Sequence, residues 1–297
     1  VNGSPEIAVP SLRIRLSHWR ALLWRFHTLP LADRVFGAPA SPCILKRPFC
    51  GFDLHLDVSR SNVQRLLFLE GERFIGERRL LRRLLRPGSR VADVGANIGY
   101  YLLLVESVIG PGGTIACFEP EPENLVELER NVQANRLGNA RIFPVAVGDS
   151  HGTVSLRSGI NSGVAVNGSG DLTVPIRRLD DVLAEPVDFL KVDVEGFEGF
   201  VLAGARRILQ EHRPALFVEI HPGLLAVPHT VEGILGLLAE LYPRIHLFEI
   251  SPQRGLLEKL NARYLGRPVR PVPDREILLA DCREGRREEP FWAVSGL

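Results

Sequence analysis

Residues 91–101 read VADVGANIGYY: a short apolar run, a turn holding Gly95 and Gly99, and then a resumed apolar stretch. A strand, a glycine turn and a helix form the opening unit of an α/β chain, and the same alternation continues outward. Runs rich in β-formers occupy 90–95, 113–120, 140–148, 187–196, 214–222, 244–251 and 276–282. Between them YYLLLVESVIG, ENLVELERNVQANRLG, EGFVLAGARRILQEH and TVEGILGLLAELYP space their apolar residues as helices do. Most of the strand runs are apolar on both faces, as a parallel sheet covered by helices requires. The chain reads as a mostly parallel, doubly covered α/β sandwich with right-handed crossovers.

Three regions depart from that rhythm. The link at 252–275 is rich in Pro, Gly and Arg, and the two runs around it read as an antiparallel pair closing one sheet edge. The segment RSGINSGVAVNGSGD (157–171) reads either as an active-site lid or as a disordered loop. Residues 1–69 form a separate extension: a helix near 11–28, then a hairpin in CILKRPFCGFDLHLDVS (43–59). ERFIGERRLLRRLLRPG leads as a helix into the first strand of the main domain, 70–297.

Composition narrows the classes of function. A formal charge of +1 supplies no global basic field, so nucleic acid is not an expected partner. Cys43, Cys50, Cys117 and Cys282 lack CxxC spacing, which fits a reduced, cytoplasmic protein without a zinc site. No apolar run reaches the length of a transmembrane span. SHWRALLWRFHTL (17–29) is amphipathic and could rest on a membrane, pack on the core or join two chains as a homodimer.

The glycine turn selects among nucleotides. Gly95 and Gly99 stand G-x-x-x-G, without the G-x-G-x-x-G that seats a pyrophosphate. Asp93 precedes the turn, where a free carboxylate would repel each phosphate charge by about 4 kcal/mol at about 4 Å and an effective dielectric of roughly 20. The same charge would attract an ammonium and a sulfonium. Glu119 ends the next strand run, twenty residues past Gly99, where an acid can accept both ribose hydroxyls. S-adenosylmethionine meets all three conditions, whereas NAD meets only the last.

VADVGANIGYY, CFEPEPENLVELERNVQAN, VAVGD, RRLDDVL, FLKVDVEGFEGFVLAGARRIL and PALFVEIHP together resemble the FkbM family of S-adenosylmethionine-dependent methyltransferases, over roughly 70–225. The resemblance implies the class I methyltransferase fold, a Rossmann-like sheet of seven strands with helices on both faces. It also implies O-methylation of a small-molecule hydroxyl on a sugar, glycolipid or polyketide-type secondary metabolite. Carried onto this chain, it sets Asp93, Gly95, Asn97, Gly99 and Tyr100 about the methionine part of the cofactor and Glu119 at the ribose. Pro120 and Asn124 would shape the adjoining wall, Ala146 and Val147 would lie near the adenine, and Glu77 would be an upstream acid at the cofactor.

Chemistry in such a sheet occurs beyond the C-terminal strand ends. LKVDVEG and VEIHP deliver Lys191, Asp193, Glu195, Glu219 and His221 to that rim. His221 is the candidate general base, with Asp193 positioning it or the acceptor. Asp193 and Glu195 could instead orient hydroxyls or hold a divalent cation such as magnesium. Lys191 also reads as a plain ion-pair partner, Glu195 as a cap for the following helix, His221 as a turn residue, and Asp180 as a helix cap. Competing functions are an NAD-dependent oxidoreductase, disfavoured by the glycine spacing, and a methyltransferase-like binding subunit without activity.

Overall fold

The computed structural model describes residues 42–70, 75–157, 163–164, 170–250 and 269–297. The expected helix at 11–28 and its amphipathic stretch, most of the 157–171 segment, and 251–268 of the C-terminal link lie outside the described residues. The chain divides into two compact units, Val1–Arg73 and Phe74–Leu297.

In the first unit β1 (Ile44–Phe49) and β2 (Phe52–Asp57) form an antiparallel hairpin with Phe49 opposite Phe52. Its two-residue turn places Cys50 and Gly51 at φ 52° and 90°, the left-handed geometry that matches strand twist. Ser61 caps α1 (Asn62–Glu70), its Oγ accepting from Gln64 N at 3.0 Å.

The second unit begins with α2 (Ile75–Leu84) and proceeds through β3 (Arg90–Val94), α3 (Tyr100–Ile109), β4 (Thr114–Phe118), α4 (Pro122–Ala134) and β5 (Ala140–Phe143). A small sheet follows, built from β6 (Ala146–Val147), β7 (Gly152–Arg157), β8 (Gly163–Val164) and β9 (Leu172–Arg177). Then come α5 (Leu179–Val182), β10 (Phe189–Val192), α6 (Glu198–Ala203), α7 (Arg206–Glu211), β11 (Ala215–Ile220) and α8 (Val231–Leu241). The chain closes with β12 (His246–Ile250), β13 (Val269–Pro271), α9 (Arg275–Arg283) and β14 (Phe291–Ser295).

The main sheet runs β13-β12-β14-β11-β10-β3-β4-β5. β5, β4, β3, β10 and β11 are mutually parallel, and β14 enters antiparallel between β11 and β12. The eighth strand, where seven are expected, is the three-residue edge strand β13, paired with β12. The switch point lies between β3 and β10, because the chain fills β4 and β5 on one side before crossing to the other. Alternate residues face the two layers. Ala92, Val94, Leu190, Val192, Leu216 and Val218 pack with α6, α7 and α8 in one core, while α2 packs on α3 and β11, and α3 on β4.

Two expectations need correction, and a third holds at a longer range. EILLADC (276–282), expected as a strand, is the helix α9, because Asp274 caps it by accepting from Glu276 N (2.8 Å) and Ile277 N (3.2 Å). FWAVS at Phe291–Ser295 supplies the final strand instead. The 198–212 helix breaks into α6 and α7 at Gly204, where a Cβ would lie 1.8 Å from Gly148 O. Asp180 does cap a helix, but a distant one: its carboxylate accepts from Arg207 N (2.8 Å) and Ile208 N (3.0 Å) at the start of α7.

Candidate active site

A crevice opens at the C-terminal ends of β3, β4 and β10, beside the switch point, where open α/β sheets place their ligands. One wall is Gly95, Asn97, Glu119 and Pro120; the small sheet contributes Ala146, Val147 and Leu156; Asp193, Glu195 and Phe197 close the far end. Ala146 and Val147 do not end the third strand. They form β6, which pairs in parallel with β9. Leu156 and Phe197 share a separate apolar cluster with Val174, Ile176 and Ala226, so the small sheet's core backs this wall.

Glu119 is buried and held by three donors. Asn97 N donates to its Oε2 at 2.8 Å, while Glu121 N (3.0 Å) and Asn124 Nδ2 (3.2 Å) donate to Oε1. Burial raises its pKa, and these donors oppose the shift. A carboxylate offers about four lone-pair sites, so acceptor capacity remains toward the crevice. Asn124 therefore acts by fixing Glu119. Asn97 takes φ 50°, a left-handed turn that asparagine tolerates, and its own Oδ1 accepts from Ile98 N at 2.8 Å.

Asp93 is arranged differently from the expected open carboxylate. It is fully buried inside β3, opposite Lys191 in the register of β10, and its Oδ1 lies 3.0 Å from Lys191 Nζ. It is not part of the crevice wall. Lys191 is 1% exposed, donates to Gly95 O at 3.1 Å and sits 3.7 Å from Asp193 Oδ2. Burial works to lower the lysine's pKa, but Asp93, Asp193 and Glu219 together raise it. The charge of Asp93 is thus met inside the protein, and Glu119, Asp193 and Glu195 are the acids that line the crevice.

The two glycines have distinct structural reasons. Gly95 (φ 80°) passes so close to β10 that a Cβ would stand 1.8 Å from Asp193 O. Gly99 (φ 88°) would put its Cβ 2.9 Å from Leu128 Cδ1, so its smallness serves α3–α4 packing. Tyr100 is buried at the start of α3, its ring edge-on to Tyr101 at 5.4 Å. Glu77, on α2, is buried and accepts from Tyr101 Oη, behind the rim rather than in the crevice. Lys191 Nζ lies 4.7 Å from the centre of the Tyr101 ring.

His221 is the hub of the rim. Its Nδ1 lies 2.8 Å from Glu198 Oε1; its Nε2 faces Glu195 Oε2 (3.7 Å), Glu219 Oε1 (3.8 Å) and Asp193 Oδ1 (4.0 Å). Burial alone would lower its pKa, but the hydrogen bond and charge of Glu198, aided by Asp193 and Glu219, raise it to about 9. Glu219 accepts from Trp292 Nε1 at 3.1 Å; burial, with Asp193 and Glu77 nearby, pushes its pKa well above the usual carboxylate range. Glu195 does not cap α6. It stands at φ 52° just past β10, a strained position of the kind found at functional sites.

The rim thus sets Asp193, Glu195 and Glu219 within ion-pair range of His221, and Lys191 within that range of Asp193. Glu198 was not singled out from the sequence. Its signal lies in the second glutamate of VDVEGFEG, three residues after Glu195. Leu156 had no such signal, because only the pairing of β7 with β9 brings it to the crevice.

Residues 93–242 match the family model described as the methyltransferase FkbM domain. The 31-O-demethyl-FK506 methyltransferase FkbM of Streptomyces tacrolimicus is 30% identical over 212 residues, 58% of this chain and 77% of that protein. The 2-O-methyltransferase NoeI of Sinorhizobium fredii is 27% identical over 165 residues, 46% of this chain and 65% of that protein. Among solved structures, methyltransferase FkbM from Methylobacillus flagellatus aligns with a TM-score of 0.42 at 17% identity over 79% of this chain. The chain spans about half of that protein, 54%.

Proposed function

The chain belongs to the FkbM methyltransferase family, and from that premise we propose that it is an S-adenosylmethionine-dependent O-methyltransferase acting on a small-molecule hydroxyl. Sugars, glycolipids and polyketide-type metabolites are the acceptor classes to test first. The observation that carries this reading is the double position of Asp193. It lines the crevice beside Gly95 and also lies 4.0 Å from His221 Nε2, joining the cofactor's place to the proton's. Both curated relatives are named for methyl transfer to oxygen.

The donor set suits the cofactor. Glu119 can accept from ribose hydroxyls, and charge-assisted bonds of that kind contribute on the order of 1.5–3 kcal/mol each. Asp193 and Glu195 supply the negative end that a cationic donor needs. When bound, S-adenosylmethionine supplies a methyl group on a sulfonium, which departs with the bonding pair as a neutral thioether. The chain's own task is to align the acceptor oxygen and take its proton. Nε2 of His221 is placed to take it, with Glu219 and Asp193 holding the resulting imidazolium.

With a pKa of about 9, His221 carries its proton at neutral pH in the free protein. The rate constant kcat/KM is therefore expected to climb about tenfold per pH unit until near 9 and then level. A flat profile between pH 6 and 9 removes His221 from the role of base.

The identity test is calorimetric titration with S-adenosylhomocysteine against NAD, followed by mass spectrometry of products from a panel of hydroxylated acceptors. NAD binding without S-adenosylhomocysteine binding overturns the reading, and cofactor binding without any product across the panel favours a non-catalytic subunit. Asp193, Glu219 and His221 also offer one atom each within 4.8 Å of one another. Magnesium ordinarily takes oxygen ligands alone, so we assign the rim's positive charge to His221 and Lys191. Activity lost to EDTA and restored by magnesium would reverse that assignment.

A further inference from the structure

Glu198 opens α6 and is fully buried. Its Oε1 accepts from Gly196 N at 2.9 Å and lies 2.8 Å from His221 Nδ1. Its Oε2 has no hydrogen-bond partner among the described residues. Burying a carboxylate whose lone pairs are only half used is costly, and a neutral amide would serve the Gly196 contact equally well. The ionised group answers to the other contact, the imidazole.

An ionised carboxylate only accepts, so the nitrogen facing it carries a proton in both charge states of the ring. That leaves Nε2 as the nitrogen that gains and loses the exchangeable proton. Nε2 makes no hydrogen bond among the described residues; its neighbours Glu195, Glu219 and Asp193 all stand at 3.7–4.0 Å. The hydrogen-bond position of Nε2 is thus left for an acceptor hydroxyl, between groups that would hold the ring charge without competing for its proton. The charged groups around the ring come from every adjoining element: Glu198 from α6, Asp193 and Glu195 from the end of β10, and Glu219 from β11.

We propose that Glu198 is a positioning residue for methyl transfer: it locks the His221 ring with Nδ1–H turned into the protein, so that Nε2 faces the rim where the acceptor oxygen reacts. This rests on the reading of His221 as the base, and Glu198 itself touches neither cofactor nor acceptor.

The test begins with the whole protein and no acceptor. Spectra correlating imidazole protons and nitrogens of 15N-histidine-labelled protein, followed against pH, report which nitrogen of His221 loses its proton and where. The wild type is expected to lose it from Nε2 with a midpoint near 9, keeping Nδ1 protonated throughout. In Glu198→Gln the midpoint should fall by a pH unit or more, and Glu198→Asp should recover part of that fall. With an acceptor found by the product screen, Glu198→Gln should lower the plateau value of kcat, read above both midpoints, by about tenfold or more. It should leave the KM for S-adenosylmethionine unchanged and move the rising limb of the pH profile down with the midpoint. Loss of the proton from Nδ1, or a Glu198→Gln titration matching wild type, overturns the proposal; so does a shifted midpoint with unaltered kcat and pH profile. Should Glu198→Gln fail to fold, the wild-type spectrum alone decides which nitrogen faces Glu198. Calorimetry with S-adenosylhomocysteine on each variant keeps failure of the lock distinct from failure of the cofactor reading.

Discussion

Two carboxylates stand at the ends of adjacent strands, Asp93 on β3 and Glu119 just past β4, and they lead opposite lives. Asp93 is the fourth residue of its strand, directly opposite Lys191, and the pair neutralise each other out of water. Glu119 lies one residue beyond its strand, where the backbone has turned and three donors hold the carboxylate at the crevice wall. Two residues of strand register, from Cys117 opposite Asp93 to Glu119, separate an acid that is internal structure from one that can bind. Position relative to the last ladder residue decides whether a charge is answered by the protein or left for a ligand.

The contrast can be broken most forcefully at Lys191. Lys191→Met leaves Asp93 buried without its cation, and urea denaturation should register a loss of about 3–5 kcal/mol. Adding Asp93→Asn should recover much of that loss; if the single variant is as stable as wild type, Asp93 does not depend on the pair. Next in size is Gly95→Ala. Its Cβ meets the Asp193 carbonyl oxygen, which cannot move aside as a side chain would, so overpacking of about 1–3 kcal/mol is expected in a melt. The left-handed φ adds roughly 1–2 kcal/mol.

Glu119→Gln sharpens the comparison on the binding side. S-adenosylhomocysteine affinity should fall by about 1.5–3 kcal/mol, roughly ten- to a hundredfold, and the amide nitrogen set against a backbone N–H should in addition cost about 1–3 kcal/mol of stability. Asp93→Asn, assayed on protein that remains folded, should weaken binding less; equal losses would put both acids on the ligand. The smallest effect belongs to Gly99→Ala. Leu128 Cδ1 can give way, leaving mainly the left-handed cost of roughly 1–2 kcal/mol and nearly normal cofactor binding.

Charge at His221 gives the fold its own pH dependence. Its folded pKa stands above the ordinary histidine value, so the stability it contributes is complete below about 6.5 and disappears as pH rises through about 9. Melting temperatures of wild type and His221→Gln should therefore differ most at and below about pH 6.5 and converge above pH 9.

Much of this was legible along the chain. VADVG, TIACF, FLKV and ALFVEI are apolar on both faces, and a strand buried on both sides has few other ways to read. EILLADC misled because a short apolar run fits either period; the cap at Asp274 decided for a helix. The three strands β7 to β9 were hidden because Gly, Ser and Asn dominate the stretch around β8, while β7 and β9 are short and half exposed; β6 lies within the strand run 140–148 but leaves for the small sheet. In the site, the sequence marked Glu119, Asp193 and His221 by their places at strand ends. Glu198 escaped notice because its partner is 23 residues away.

What the sequence determined by itself is the order of elements and the set of ionisable groups delivered to one end of the sheet, since periodicity and strand length are local properties. Which of those groups face each other was decided only by tertiary structure. Asp93 meets Lys191, and Glu198 meets His221, through strand registry and chain reversal. Electrostatic energy at a few ångströms depends on that spacing, which no local pattern encodes.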